Sequence, residues 1–296
     1  MTADHGRTVR RRQLSTELRR QREKAGMTQE QVAEAMDWSL SKLIRIEAGT
    51  VGVSTNDLRV LLDLYGMADK AEVDRLTAIA RDTRQPSWWS RYQDALAPQF
   101  ATYLGYEAGA AEIRYFQPLV FPGILQTEDY ARAIITGAGF GERPTPDQAE
   151  TLVTIRMTRR EQVLLRREPP RVRVVLEETV LRRPVAGPAV MAAQLAHVRT
   201  LAALDHLTLQ VIPFERGTFP ALQGAFTVLD FPDLDDPGVL YLENASGQAV
   251  HRNKAGQLQE FKDGFEELCA LSLPPAESVE LLARIAAEWT AKASPG

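Results

Sequence analysis

Two helix starts lie only eleven residues apart in this chain, and that spacing leaves little choice of local fold. Thr28 opens "TQEQVAEAM", and Gln31, three residues on, completes a capping box. After Asp37 and Trp38, Ser39 caps a second short helix over 39–48. Gly26 before the pair and Gly49 after it are placed to end helices. Helices this short cannot bury a face alone, so they must cross closely. A close crossing needs a small side chain, and Ala33 supplies it. Val32, Met36, Trp38, Leu43 and Ile46 then fall inward at helical spacing, while Leu40, Ser41, Ile44 and Arg45 face out. Asp37 stands in the turn between the two helices, and aspartate tolerates the left-handed conformation better than most residues, though less well than glycine.

Charge sets this region apart. Residues 1–50 carry ten Lys/Arg against seven Asp/Glu, a net +3; the remainder carries 25 against 32, a net −7. A small basic head on an acidic body points to a polyanion partner for the head alone. The head is expected to begin with a basic flexible tail over 1–13. Within it, Arg10, Arg11 and Arg12 are either frayed charge or a phosphate-binding arm. A first helix follows, with an apolar stripe at Leu14, Leu18 and Ala25 and a basic outer side at Arg19, Arg20 and Arg22. Two further helices carry Leu58, Leu61, Leu62 and Tyr65, then Val73, Leu76 and Ile79. Five helices over 14–82 make a compact all-α domain, and "RDTRQPSWWS" marks a linker over 83–90, broken by Pro86.

Residues 14–66 resemble the Xre/Cro-type helix-turn-helix family, on the strength of "LRRQREKAGMTQEQVAEAMDWSLSKLIRIEAG" and "STNDLRVLLDLYGM". That resemblance implies double-stranded DNA as partner, read by a homodimer on paired half-sites. It places Gln29 on a phosphate, and Leu40, Ser41 and Arg45 near base edges, with Lys42 a candidate for contact to the DNA backbone; Ser39 and Ile44 complete the candidate DNA-binding set. It also pairs Arg22 with Glu47 as a structural ion pair. A short helix with one outward face is what the major groove admits. Arginine to guanine is the commonest specific contact there. Leu40 offers no hydrogen bond: either it meets a thymine methyl or it packs on the neighbouring helix.

The body, 91–296, reads as a larger α+β domain with a mostly antiparallel sheet, so that the whole chain is α+β with an all-α N-terminal domain. Helices are expected over 100–111, 128–136, 146–166, 189–203, 253–273 and 275–293. Strands are expected over 171–176, 208–213, 224–230 and 239–243, while "IRYFQPLVFPG" is extended. Between Trp88 and Tyr130 the chain is at its most aromatic. Trp88, Trp89, Tyr92, Tyr103, Glu107, Gln126 and Tyr130 form a candidate pocket for a ligand or peptide. The same aromatic residues serve equally as core. Glu107 is then a structural carboxylate, paired with Arg114 or Arg132, and "PGILQT" is either a turn with a helix cap or a loop lining a cleft.

"WWSRY", "YLGYEAGAAEIRYF", "VFPGILQTEDYARAI", "VMAAQLAHV" and "ESVELLARI" resemble a large actinobacterial family that joins an Xre-type head to this C-terminal domain and includes WhiJ-type developmental regulators. The resemblance implies a small acidic partner protein. Catalytic chemistry finds little foothold. His197 and His206 are too far apart to share a metal on one helical turn, and His251 is expected in a polar loop. Glu177 and Glu178 would face opposite ways on a strand. No G-x-S-x-G, H-E-x-x-H or P-loop occurs. The lone Cys269 excludes an internal disulfide and reads as a small buried hydrophobe. The expectation is a cytoplasmic, sequence-specific transcriptional regulator, with no catalytic residue, cofactor, metal or membrane span. The alternatives are an antitoxin-like interaction module and, further off, an enzyme tethered to DNA by its head.

Overall fold

The computed structural model describes residues 7–49, 51–82, 87–137, 143–218, 224–232, 236–243, 249–252 and 255–294. Residues 1–6 of the expected tail and 83–86 of the expected linker, Pro86 included, lie outside them. The chain divides into two compact units, residues 1–91 with 104–109, and residues 92–103 with 110–296.

The first unit holds five helices, α1 (Arg7–Lys24), α2 (Gln29–Ala35), α3 (Leu40–Glu47), α4 (Thr55–Leu64) and α5 (Lys70–Asp82). Three of them end in the same way. After α1, the Met27 N–H donates to the Arg22 carbonyl (3.2 Å) and the Gly26 N–H to the Glu23 carbonyl (3.0 Å). After α4, Met67 and Gly66 repeat the pattern on Leu62 and Asp63. After α2, Trp38 donates to Ala33 (2.8 Å) and Asp37 to Glu34 (3.1 Å). Each is a Schellman motif, which needs a left-handed residue just past the helix. Gly26 and Gly66 take it freely, and Asp37 takes it at φ 53°, so the departure from glycine is absorbed in place. The core of the unit is Leu14, Leu18, Val32, Ala33, Leu43, Ile46, Leu58, Leu61, Leu62 and Leu76, with Met36 and Trp38 packed against it.

Two expectations for α1 need correction. The helix begins at Arg7, so residues 7–13 belong to its first turns and not to a tail. Ala25 lies past its end and is exposed; the buried residue one turn beyond Leu18 is Arg22. An arginine takes the apolar position because its charge is matched internally, as described below.

The second unit is built on a six-stranded sheet in the order β3-β2-β1-β4-β5-β6. The strands are β1 (Glu112–Gln117), β2 (Arg171–Glu177), β3 (Leu207–Ile212), β4 (Phe226–Asp230), β5 (Val239–Glu243) and β6 (Ala249–Arg252). Antiparallel pairings link β1–β4, β4–β5 and β5–β6, while β1–β2 and β2–β3 are parallel. The sheet is thus mixed, with antiparallel pairings in the majority. The stretch expected only to be extended supplies β1, a central strand that ends where Pro118 removes the next donor. His251 falls in β6 and not in a loop.

The parallel connections carry helices, as parallel pairs require. They are α7 (Glu128–Gly137) and α8 (Pro146–Leu164) between β1 and β2, then α9 (Glu178–Arg182) and α10 (Pro188–Leu201) between β2 and β3. Upstream, α6 (Pro98–Gly109) contributes residues 98–103 to this unit; downstream come α11 (Ala255–Leu271) and α12 (Pro275–Ala293). Leu258, Phe265 and Leu268 of α11 cover Phe116, Val175, Ile212 and Phe226 on one sheet face. The outer edge of β3 is closed at Val211, whose N–H donates to the Ser278 hydroxyl (3.0 Å) and whose carbonyl accepts from Leu273 (2.9 Å). Arg114 and Arg173 stand in register on neighbouring strands, a like-charge pair that would repel. Asp230 and Glu112 neutralise the first (2.6 and 2.8 Å), and Glu266 grips the second bidentately (2.6 and 2.8 Å). Arg173 also reaches Cys269 Sγ (3.2 Å), and burial raises that thiol's pKa.

Candidate nucleic-acid interface

The turn between α2 and α3 sets the orientation of everything that follows. Thr28 accepts from the Gln31 N–H (3.2 Å), and the Gln31 side chain accepts from the Thr28 N–H (2.8 Å), so both arms of the capping box are made. The Ser39 hydroxyl accepts from the Lys42 N–H (3.2 Å) and starts α3. Ser39 therefore serves as a cap, worth about 1 kcal/mol. With Leu43 and Ile46 buried at 1% and 2% exposure, the opposite side of α3 must point out. Leu40 is 36% exposed and Ile44 44%; Ser41 and Arg45 are exposed beside them. Leu40 is thus on the outward side of α3, with about a third of its surface open to solvent. The Arg45 Nε donates to the Ser41 carbonyl one turn back (3.1 Å), which lays the guanidinium along the helix surface.

Lys42 sits differently from the other four. It is half-buried, its ammonium lies 3.7 Å from the centroid of the Trp38 ring, and the Asp57 carboxylate is 3.8 Å away. A cation over an indole face and near a carboxylate is held within its own domain. Nothing in the sequence marks this arrangement, because Asp57 comes from a separate helix.

Behind the outward face stands a small ion-pair network. Arg22 Nε and NH2 donate to the two oxygens of Glu47 (2.6 and 3.1 Å), and Arg22 NH1 donates to the Met27 carbonyl (2.9 Å). The side chains are 11% and 3% exposed. The hydrogen bond to Glu47, against a smaller opposing effect of burial, raises the pKa of Arg22 further. Gln29 joins the same carboxylate, its Nε2 donating to Glu47 Oε2 (2.7 Å). The bond to Glu47 fixes the amide at the start of α2. A cleft of about 590 Å³ opens here, and it gathers Arg19, Gln29, Ile44 and Glu47. The Arg22–Glu47 pair agrees with what the family resemblance implies; the third member, Gln29, depends on how α2 crosses α3.

The aromatic candidates behave otherwise. Trp88 and Trp89 meet edge to face (5.5 Å), with Trp89 buried. Tyr92 lies at a kink in the 3-10 stretch Trp88–Ala95. Tyr103 is buried, its hydroxyl 3.2 Å from that of Tyr115; Arg159 NH2 donates to the Tyr103 hydroxyl at 3.0 Å. The Gln126 Nε2 donates to the Phe121 carbonyl (2.6 Å), and its Oε1 accepts from Arg156 (2.8 Å). Tyr130 is fully buried, edge to face with Phe121, and its burial raises the phenol pKa to about 12. Glu107 is buried. Its two proposed partners are engaged with other carboxylates, Arg114 with Asp230 and Glu112, Arg132 with Glu128 and Glu150. Thr127 does cap α7, its hydroxyl accepting from Tyr130 (3.4 Å). Glu178 starts α9, is buried, and accepts from Arg182 and from the Phe214 N–H. His197 lies beside Arg160 (3.2 Å), and burial, aided by that charge, lowers its pKa.

Residues 100–284, well over half of the chain, match the family described as a domain of unknown function, DUF5753. The chain belongs to the DUF5753 family. Residues 13–76 match a helix-turn-helix domain, which spans most of α1 to α5. The DUF5753 part runs from within α6 to within α12 and so includes every strand of the sheet. No curated protein and no solved structure matches the chain. No helix among the described residues is long and apolar enough to cross a membrane.

Proposed function

We propose that this protein is a sequence-specific DNA-binding transcriptional regulator of the Xre/Cro type. In this reading α3 enters the major groove, Arg45 and Ser41 reach base edges, and Gln29 holds a phosphate at the start of α2. The protein binds paired half-sites as a homodimer, and the DUF5753 domain receives a protein or small-molecule signal without catalysing a reaction. The similarity to WhiJ-type regulators supports this assignment of roles. The observation that carries it is the exposed face of Leu40, Ser41, Ile44 and Arg45, held by a buried Leu43 and Ile46 within a helix-turn-helix domain.

The test is selection of duplexes from a randomised pool by the full chain, followed by a salt series on a selected site. Affinity is expected to fall linearly in log–log form as salt rises, because phosphate contacts release counterions. Failure to enrich any sequence, or binding indifferent to salt, would remove the regulator reading.

A further inference from the structure

We infer that α3 reads a pair of neighbouring 5-methyl groups, so that the duplexes this protein prefers place two thymines, one or two base steps apart, against Leu40 and Ile44. The inference rests on the docking of α3 proposed above and goes beyond it by naming what the helix recognises.

Leu40 and Ile44 are one helical turn apart and both stand in solvent, 36% and 44% exposed, on a helix of only eight residues. In the protein alone they realise only part of the roughly 1.5–3 kcal/mol that fully burying such side chains provides, and the exposed remainder is left for a partner. Neither carries a donor or acceptor, so neither can read N7, O6 or an exocyclic amine. Among the features that the four base pairs display in the major groove, the thymine methyl is the one that apolar contact recognises. Residues four apart on a helix have Cβ atoms about 5–6 Å apart. Stacked bases rise about 3.4 Å per step, so the pair spans one to two steps. Lys42, the charged residue between them in sequence, is drawn back over Trp38 toward Asp57 and leaves the two aliphatic groups uninterrupted. The occupant is DNA rather than an apolar protein surface because the patch lies in the basic part of the chain: residues 1–50 carry a net +3 and the rest a net −7.

Uracil in place of thymine removes the methyl and nothing else. In a duplex selected from a randomised pool by the full chain, each thymine is replaced in turn. Affinity is expected to drop roughly fourfold at each of two positions in a half-site, the worth of one buried carbon, and to return when 5-methylcytosine replaces a cytosine there. The double variant Leu40→Ala, Ile44→Ala should remain folded and lose its response to uracil at those two positions. Uniform tolerance of uracil in the parent chain would overturn the methyl reading while leaving α3 docking intact. Uniform tolerance of uracil by the parent chain, together with dissociation of a dimer by the double variant, would reassign the patch to a subunit contact. No enriched duplex at all would overturn both proposals together.

Discussion

The outward face of α3 and the aromatic stretch from Trp88 to Tyr130 both present the residue types that bind ligands, yet the structure uses them in opposite ways. On α3, large apolar and cationic groups stand exposed over a core that is already complete without them. Around Tyr103 and Gln126 the polar atoms are buried and engaged: the phenol accepts from Arg159, and the amide bridges Phe121 and Arg156. Buried polar groups must be satisfied, so a satisfied network is first of all a condition of folding. Exposed leucine and isoleucine satisfy no such condition. Residue type nominates both regions; whether the groups already have partners inside the protein separates them.

The largest effect that would sharpen this contrast lies just behind the open face. Glu47→Ala removes two of the three acceptors described for Arg22 and one from Gln29, leaving a buried guanidinium beside Tyr65 with only the Met27 carbonyl. Breaking a buried pair from one side costs about 3–5 kcal/mol. Denaturant unfolding that follows the helical unit should show a loss of that size. If stability were unchanged, the network would not be structural, and the division between face and support would fail.

A crossed pair of variants tests the contrast directly. Arg45→Ala should weaken binding to a selected duplex by about 1–3 kcal/mol while leaving the unfolding midpoint in place. Gln126→Ala should do the reverse: it strands the Phe121 carbonyl and takes an acceptor from Arg156, for about 1–3 kcal/mol of stability, with intrinsic DNA affinity retained. Competition binding and chemical denaturation on both proteins give four numbers. Equal effects on both readouts in either protein would break the distinction. A Gln126→Ala chain of normal stability that no longer responds to a cellular signal would turn the aromatic region back into a ligand site.

How much of this was legible in the sequence follows the range of the interactions. The capping box at Thr28, the cap at Ser39 and the turn at Asp37 all close within five residues, so their spacing alone exposes them. The inward set of α2 and α3 was equally readable, because two short helices meeting at Ala33 have one way to bury Val32, Leu43 and Ile46. What escaped was set by distant partners. Arg159 looks like a solvated residue in α8 and is instead buried against Tyr103 and Phe100. The prolines after Gln117 hid β1, whose parallel neighbour β2 is separated from it by two helices. The surroundings of Lys42 are likewise set from outside its own helix, by the Trp38 ring and the Asp57 carboxylate.

The smallest effect concerns Tyr65, which belongs to the supporting layer yet breaks its rule. The ring is buried, and the hydroxyl has no hydrogen-bond partner among the described residues. Burial, with the nearby Glu47 charge, pushes its pKa upward, so the phenol stays neutral throughout the usable pH range. A buried hydroxyl without a partner incurs a desolvation penalty and returns nothing, whereas phenylalanine has the same shape without it. Tyr65→Phe should therefore shift stability by no more than about 0.5 kcal/mol, and toward greater stability. Urea unfolding resolves the sign. A clear loss would mean that the hydroxyl has a partner after all, an ordered water beside Glu47 being the nearest candidate, and the Arg22–Glu47–Gln29 network would then extend to α4.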